Sequence, residues 1–321
     1  MSNDSSTGTP AARPEMMTAR AYAILFAAQL AIGSAAIFAR YALEGARPIA
    51  ISALRLSIAG FPLLIYSLWK NPRSLPRRHE LLLACAGISL AVHFATWIAS
   101  LQYTSVAVST LLVSTSPLWT GLYDVVVAKQ RKPLAFWLSL LGGAVGVLLI
   151  IMDKSAPAPI QGFAYLGSAL AAIGALAFAA YLIAIRSISS TYSTLTIVGR
   201  TYAWAAIALI AAALGCGEGP PGNNPTSWFG IIAMAFFSQA LGHTGLNASL
   251  QWFSSSTVAF STLLEPVFAA IIAAALFGER LAVSSLIGCV IVLVSLFVVL
   301  RYGKSDDAGG NTQAASPTSA L

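Results

Sequence analysis

The sequence predicts an all-α polytopic membrane protein: ten transmembrane helices arranged as two inverted five-helix repeats. Three observations carry that prediction. The composition is too poor in charge for water, ten apolar runs have spanning length, and the chain contains an internal duplication.

Of 321 residues, 57% are hydrophobic and 9% charged, whereas soluble domains carry about a quarter charged residues. So few charges cannot coat a water-soluble core of this size, and the surrounding medium is therefore lipid. The formal charge of +7 does not point to nucleic acid, because Lys and Arg are scattered through short loops with no basic helix. Cys85, Cys216 and Cys289 show no CxxC spacing and read as small buried hydrophobes. No disulfide framework, metal or cofactor is expected.

Crossing about 30 Å of hydrocarbon takes about 20 apolar residues per helix. The runs 21–42, 50–69, 81–102, 105–127, 134–152, 162–185, 194–215, 228–251, 255–277 and 282–301 meet that length, with almost no loop after the third and the eighth. Residues 1–19 are rich in Ser, Thr and Pro and lack a basic stretch followed by an apolar one, so no cleaved signal peptide is expected. Both this segment and the polar tail 303–321 are expected to be disordered.

Orientation follows from the basic residues. With the N-terminus placed inside, Arg13, Arg20, Lys70, Arg73, Arg77, Arg78, Lys129, Arg131, Lys132, Arg186, Arg301 and Lys304 fall on the inner side. Only Arg47, Lys154 and Arg280 fall outside. Both termini are thus expected in the cytoplasm.

The duplication is read between residues 99–146 and 248–295. Ala99-Ser100-Leu101-Gln102 matches Ala248-Ser249-Leu250-Gln251, Pro117 matches Pro266, and Arg131 matches Arg280, without a gap. Ser139 and Gly146 fall under Gly288 and Ser295. Earlier in each half, Ala31-Ile32-Gly33 corresponds to Ala172-Ile173-Gly174, and Arg55 to Arg200. The repeats are therefore 20–152 and 162–302. Each holds five spans, an odd number, so the second lies upside down relative to the first. Inverted repeats place a binding site near the midplane where the halves meet, and alternating access comes from one half rocking on the other.

The five-plus-five layout, the Ser/Ala-rich starts of the fourth and ninth spans, the mid-span Pro, and Leu264-Glu265-Pro266 followed by Gly278-Glu279-Arg280-Leu281 resemble the EamA-type drug/metabolite transporter superfamily. Over residues 20–302 the chain looks most like the YddG-type bacterial amino-acid and drug exporters. That resemblance implies an inner-membrane exporter of small metabolites. The first half departs from the pattern: Ser116 stands where Glu265 stands in the second, and Gln130 where Glu279 stands.

Glu265 lies eleven residues into its span, about 16 Å deep at about 1.5 Å per residue. An ionised carboxylate there costs at least about 2.5 kcal/mol, so it must face protein or water. It is either a contact for a substrate ammonium or proton, or a structural group beside Pro266. Pro117 and Pro266 are expected to kink their spans near mid-depth, as a hinge or cavity wall. His93 and Trp97 share one helix face at i,i+4, as do His243 and Asn247, with Gln251 a turn further. These residues, with Trp119, Tyr181 and Gln29, are the candidate cavity lining, set against the plainer reading of satisfied core groups. Tyr22, Trp69, Tyr103, Trp228 and Trp252, at span ends, fit interfacial belts. Arg55 and Arg200 lie about six residues inside their spans and either snorkel or gate, attracting a carboxylate. Asp124 is expected to pair with Lys129 at the inner interface. Gly142 and Gly146 form a GxxxG step that permits close helix approach, within a monomer or in a weak homodimer.

These residues point to a secondary transporter exporting small metabolites, most directly amino acids (aromatic or broad range). Transport of a cationic drug or another metabolite is the alternative. There is no Walker A pattern to couple nucleotide hydrolysis. A lipid-modifying enzyme would want clustered His, Asp or Cys near the interface, and neither HxxxH nor DDxxD occurs. A channel would want a filter or charged rings, and no stretch resembles one.

Overall fold

Apolar side chains on the outside of this protein decide how its helices must be read. Ile65, Trp69, Leu134 and Leu214 are each 68–75% exposed, which a soluble protein would not tolerate in such a belt. The structure is a computed structural model that describes residues 14–72, 74–104, 106–151, 164–277 and 283–302. The Gly278–Leu281 motif, Arg13, Arg73, Lys154, Lys304 and most of both tails lie outside those residues.

The described chain is helical throughout. The first half holds α1 (Pro14–Gly33), α2 (Ala35–Leu43), α3 (Pro48–Lys70), α4 (Arg77–Tyr103), α5 (Val106–Val113), α6 (Ser116–Val126) and α7 (Leu134–Ile151). The second holds α8 (Ala164–Arg186), α9 (Thr194–Gly215), α10 (Pro225–Ala233), a π-helix (Met234–His243), α11 (Thr244–Ser249), α12 (Ser255–Ser261), α13 (Leu264–Phe277) and α14 (Val283–Tyr302). Six stretches among the described residues are long and apolar enough to cross a bilayer: 19–43, 48–70, 77–103, 165–186, 194–215 and 225–249. Shorter apolar helices lie at Leu134–Leu149 and Leu286–Tyr302.

Helix starts follow local chemistry. Ser193, Asn224 and Ser254 cap α9, α10 and α12 by accepting from the backbone N–H of Thr196, Ser227 and Thr257, and Pro48 and Pro225 open α3 and α10, where no N–H is needed.

The fourth and ninth expected spans are not continuous: the kink or loosening expected there takes the form of a break. The chain breaks at Ser114–Thr115 between α5 and α6, and at Thr262–Leu263 between α12 and α13. Pro117 and Pro266 each sit in the first turn of the half-helix that follows. Proline lacks an N–H and fixes φ, so it suits a first turn and opposes a continuous helix through it. The break recurs at the same place in both halves, as the Pro register implied.

Packing is also the same when the halves are exchanged. The α3 helix packs on α9 and α7 on α14, in each case a span on its counterpart, and the broken fourth and ninth spans meet through α6 and α12. The α4–α8 contact is matched by that of α1 with the π-helix and α11. The GxxxG step lies in the α7–α14 crossing: a Cβ on Gly146 would meet the Gly288 carbonyl and Val292 at 2.8 Å, and one on Gly142 would meet Ser295 Oγ at 2.9 Å. The stripe is consumed inside one chain and leaves no argument for a homodimer.

Both ends of the molecule are pinned across the halves. At one end Arg200 Nη1 lies 2.6 Å from Glu80 Oε2, Trp204 Nε1 donates to Glu80 Oε1 at 2.8 Å, and His79 bonds the Tyr192 hydroxyl at 2.6 Å. Asp124 pairs there with Lys132 at 2.6 Å, rather than with Lys129, and also accepts from Ser256. Lys129 instead takes a positive φ of 57° at the turn. At the other end Glu218 accepts from the N–H groups of Ile49 and Ala50 at 2.8 and 2.9 Å, an anion on the N-terminus of α3.

Candidate functional site

The halves meet at a buried cavity whose walls come from both. Arg55 on α3, His93, Phe94 and Trp97 on α4, and Val113 at the end of α5 line it from the first half. Phe178 on α8, His243 at the end of the π-helix, and Thr262 and Glu265 at the break of the ninth span line it from the second. An adjoining space shares Trp97, Val113 and Glu265 and reaches Thr110 and Ala269. Each space is only about 20 Å³, room for about one water molecule. With both ends pinned, this is a contracted, closed conformation.

The wall is aromatic. His93 lies 4.8 Å from both Phe94 and Phe178 by ring centroids and stacks parallel to Trp97 at 6.4 Å. His243 meets Phe94 edge-on at 5.1 Å. His93 Nδ1 lies 2.9 Å from the Gly174 carbonyl. A carbonyl only accepts, so Nδ1 carries the proton and Nε2 is left as the acceptor.

Two charges face this space. Arg55 is wholly buried; its Nε donates to Gln239 Oε1 at 3.1 Å, and its guanidinium lies 4.0 Å over the Phe94 ring. Both Nη groups are buried and bond nothing. Buried donors without partners are rare and costly, and a guanidinium lining a cavity with two nitrogens unbonded has the donors to take an anion. Glu265 sits in the first turn of α13, where the helix N-terminus favours a carboxylate. Arg55 and Glu265 line the same cavity, yet among the described residues no ion pair closes between them. Gly33 lets α13 come this close: a Cβ there would meet Phe268 Cβ at 2.6 Å and the Glu265 carbonyl at 3.3 Å.

The remaining candidates divide into layers. Asn247 and Tyr181 stand one layer behind the wall: Asn247 Nδ2 donates to the Tyr181 hydroxyl and, at 2.6 Å, to the His243 carbonyl. Gln29 donates to Ser261 at 2.6 Å, bracing α1 against α12 below the break. Trp119 lies on α6 away from the cavity, with Nε1 buried and unbonded. Gln251 is not brought to the cavity: α11 ends at Ser249, and its exposed amide bonds Thr194 at 2.9 Å. Arg200 belongs to the Glu80 pin, and Arg55 does not snorkel, since it has no path to solvent.

Gln239, Phe94 and Phe178 went unnoticed in the sequence. Gln239 holds Arg55 from the π-helix, where the Thr244 N–H reaches back five residues to the Gln239 carbonyl. No sequence pattern marks that stretch. Phe94 was within reach, being next to His93.

Two helical halves that repeat each other's breaks and helix pairings around a buried cavity at their seam define a membrane transporter. The EamA-like transporter family profile matches residues 19–152 and 165–301, one match per half, and the chain belongs to that family. It is 23% identical over 289 residues to an uncharacterized transporter of Archaeoglobus fulgidus, covering 88% of this chain and 98% of the relative. It is 26% identical over 267 residues to the uncharacterized transporter YwfM of Bacillus subtilis, covering 80% and 85%, and 25% identical over 295 residues to YyaM of the same organism, covering 88% and 95%. A solved crystal structure superposes with a TM-score of 0.71 at 17% identity, over 89% of this chain and 98% of that one. This last likeness concerns the fold alone.

Proposed function

We propose that this protein exports amino acids across the bacterial inner membrane by alternating access, with both termini in the cytoplasm and the two five-span halves inverted. One observation carries the substrate class: an unpaired guanidinium and an unpaired carboxylate face one aromatic-walled cavity. An α-amino acid brings the complementary pair, its carboxylate for Arg55 and its ammonium for Glu265, while its side chain lies against His93, Phe94, Trp97 and Phe178. The outward direction rests on the resemblance to YddG-type exporters.

Rocking would open one pinned end while the other stays shut. The breaks at Ser114–Thr115 and Thr262–Leu263 supply places to bend without disturbing the longer helices. An organic cation is the second reading, favoured by Glu265 and opposed by Arg55, which would lie uncompensated beside it.

The test is counterflow in proteoliposomes loaded with labelled amino acids, their decarboxylated amines or organic cations, with and without a pH gradient. Amino acids should exchange and the amines should not. Exchange of cations and amines alone would overturn the reading.

A further inference from the structure

Apart from the central cavity, the ninth span borders a lateral groove of about 370 Å³, whose lining includes Ala23, Phe26, Ser261, Leu264, Leu296 and Leu300. Helices α1 and α14 form its sides; both rest on α12 and α13, and a cleft is left between them. Its walls are hydrocarbon apart from the hydroxyls of Tyr22 and Ser261, and that of Ser261 is already bonded to Gln29 and to the Val258 carbonyl. Phe26, on its rim, is 51% exposed on the lipid-facing perimeter. At about 30 Å³ for each water-sized group, the space takes about a dozen such groups.

One end of the groove is charged. Arg20 stands one helical turn before Ala23 on α1, and Arg301 directly follows Leu300 on α14; both are exposed. The two helices thus bring two cations to the mouth at the level where the apolar walls end.

We propose that this groove is a binding site for one anionic phospholipid of the leaflet on the side of the chain termini, with an acyl chain along Leu264, Leu296 and Leu300 and the phosphate between Arg20 and Arg301. An acyl chain suits a groove of this volume with walls almost wholly hydrocarbon; two arginines at its mouth select a headgroup with net negative charge over a zwitterionic one. The bound chain lies against Leu264, the residue before Glu265, and so braces α13 at its break. The site stands apart from the transport reading, since no central-cavity residue contributes to it.

The test is native mass spectrometry of the purified full-length protein, offered phosphatidylglycerol or phosphatidylcholine of equal chain length. Wild type should retain one phosphatidylglycerol per chain, with about a tenfold preference over phosphatidylcholine. Ala23→Trp, or Leu300→Trp from the opposite wall, fills the groove and should abolish retention, while elution as a single species shows that the fold survives. The Arg20→Gln/Arg301→Gln pair should keep lipid binding and lose the preference, whereas Glu265→Gln should change neither. No stoichiometric lipid on wild type, equal retention of the two lipids, or undiminished retention by both tryptophan variants would overturn the proposal.

Discussion

Arg55→Gln removes the buried charge while keeping a hydrogen-bonding side chain of shorter reach. In the wild type Nε is spent on Gln239, and the two Nη groups remain for a ligand. A carboxylate engaging both would make charge-assisted bonds, worth about 1.5–3 kcal/mol each before desolvation, and truncating one partner of such a buried pair costs about 2–5 kcal/mol. Glutamine recovers part of one bond, so a loss of about 2–3 kcal/mol is expected, about 30- to 150-fold in affinity at about 1.4 kcal/mol per decade. Folding should change little: the donor lost to Gln239 costs about 1 kcal/mol, offset by no longer burying an unpaired charge. Binding is read from intrinsic tryptophan fluorescence, since Trp97 lines the cavity, and from counterflow in proteoliposomes. The decarboxylated amine of the same amino acid provides the control, because it lacks the group that Arg55 meets; its affinity should be the same in wild type and variant. A folded Arg55→Gln protein binding the amino acid within about threefold of wild type would refute the assignment, and an equal loss for acid and amine would make Arg55 structural.

Further expectations concern the rest of the site and its closures. Glu265→Ala should reduce transport, or remove its dependence on a pH gradient, while leaving membrane insertion intact; unchanged uptake would make Glu265 a helix-end group only. Trp97→Ala and His93→Ala should change the ranking of competing amino acids, and identical competition profiles would remove them from the cavity. Glu80→Gln removes the Arg200 ion pair, which is partly exposed and worth about 1 kcal/mol or less. Labelling of a cysteine placed at Val113, from the side of that pin, should rise by up to about fivefold; unchanged labelling would mean that this pin does not hold the closed conformation. Gly146→Leu drives a side chain into the Gly288 carbonyl and should lower stability by about 1–3 kcal/mol or more, read as thermal unfolding in detergent; an unaffected melting temperature would contradict the α7–α14 packing.

The amino-acid sequence by itself determined the medium, six of the spans and the repeat. Charge is so scarce and apolar runs so long that only lipid suits them, and the Pro117–Pro266 register located the breaks of the fourth and ninth spans. It also singled out Glu265, because a lone carboxylate at that depth is conspicuous, and paired His93 with Trp97 by helical spacing. What only the tertiary structure decided is which polar groups look inward. Arg55 and Arg200 occupy similar depths and read alike along the chain, yet one is enclosed by Phe94 and Gln239 while the other meets Glu80. Gln239 reaches Arg55 from a stretch where the backbone widens into a π-helix, a local change no residue spacing announces, and Gln251 falls outside because its helix ends two residues early. The breaks were readable but not their form: a proline reports the missing N–H, whereas whether the helix bends or stops depends on what its neighbours offer the freed backbone groups. In a chain this uniformly apolar, hydropathy fixes depth in the bilayer but not rotation about each helix axis. Rotation is set by contacts between helices far apart in sequence, and it is rotation that decides what faces the seam.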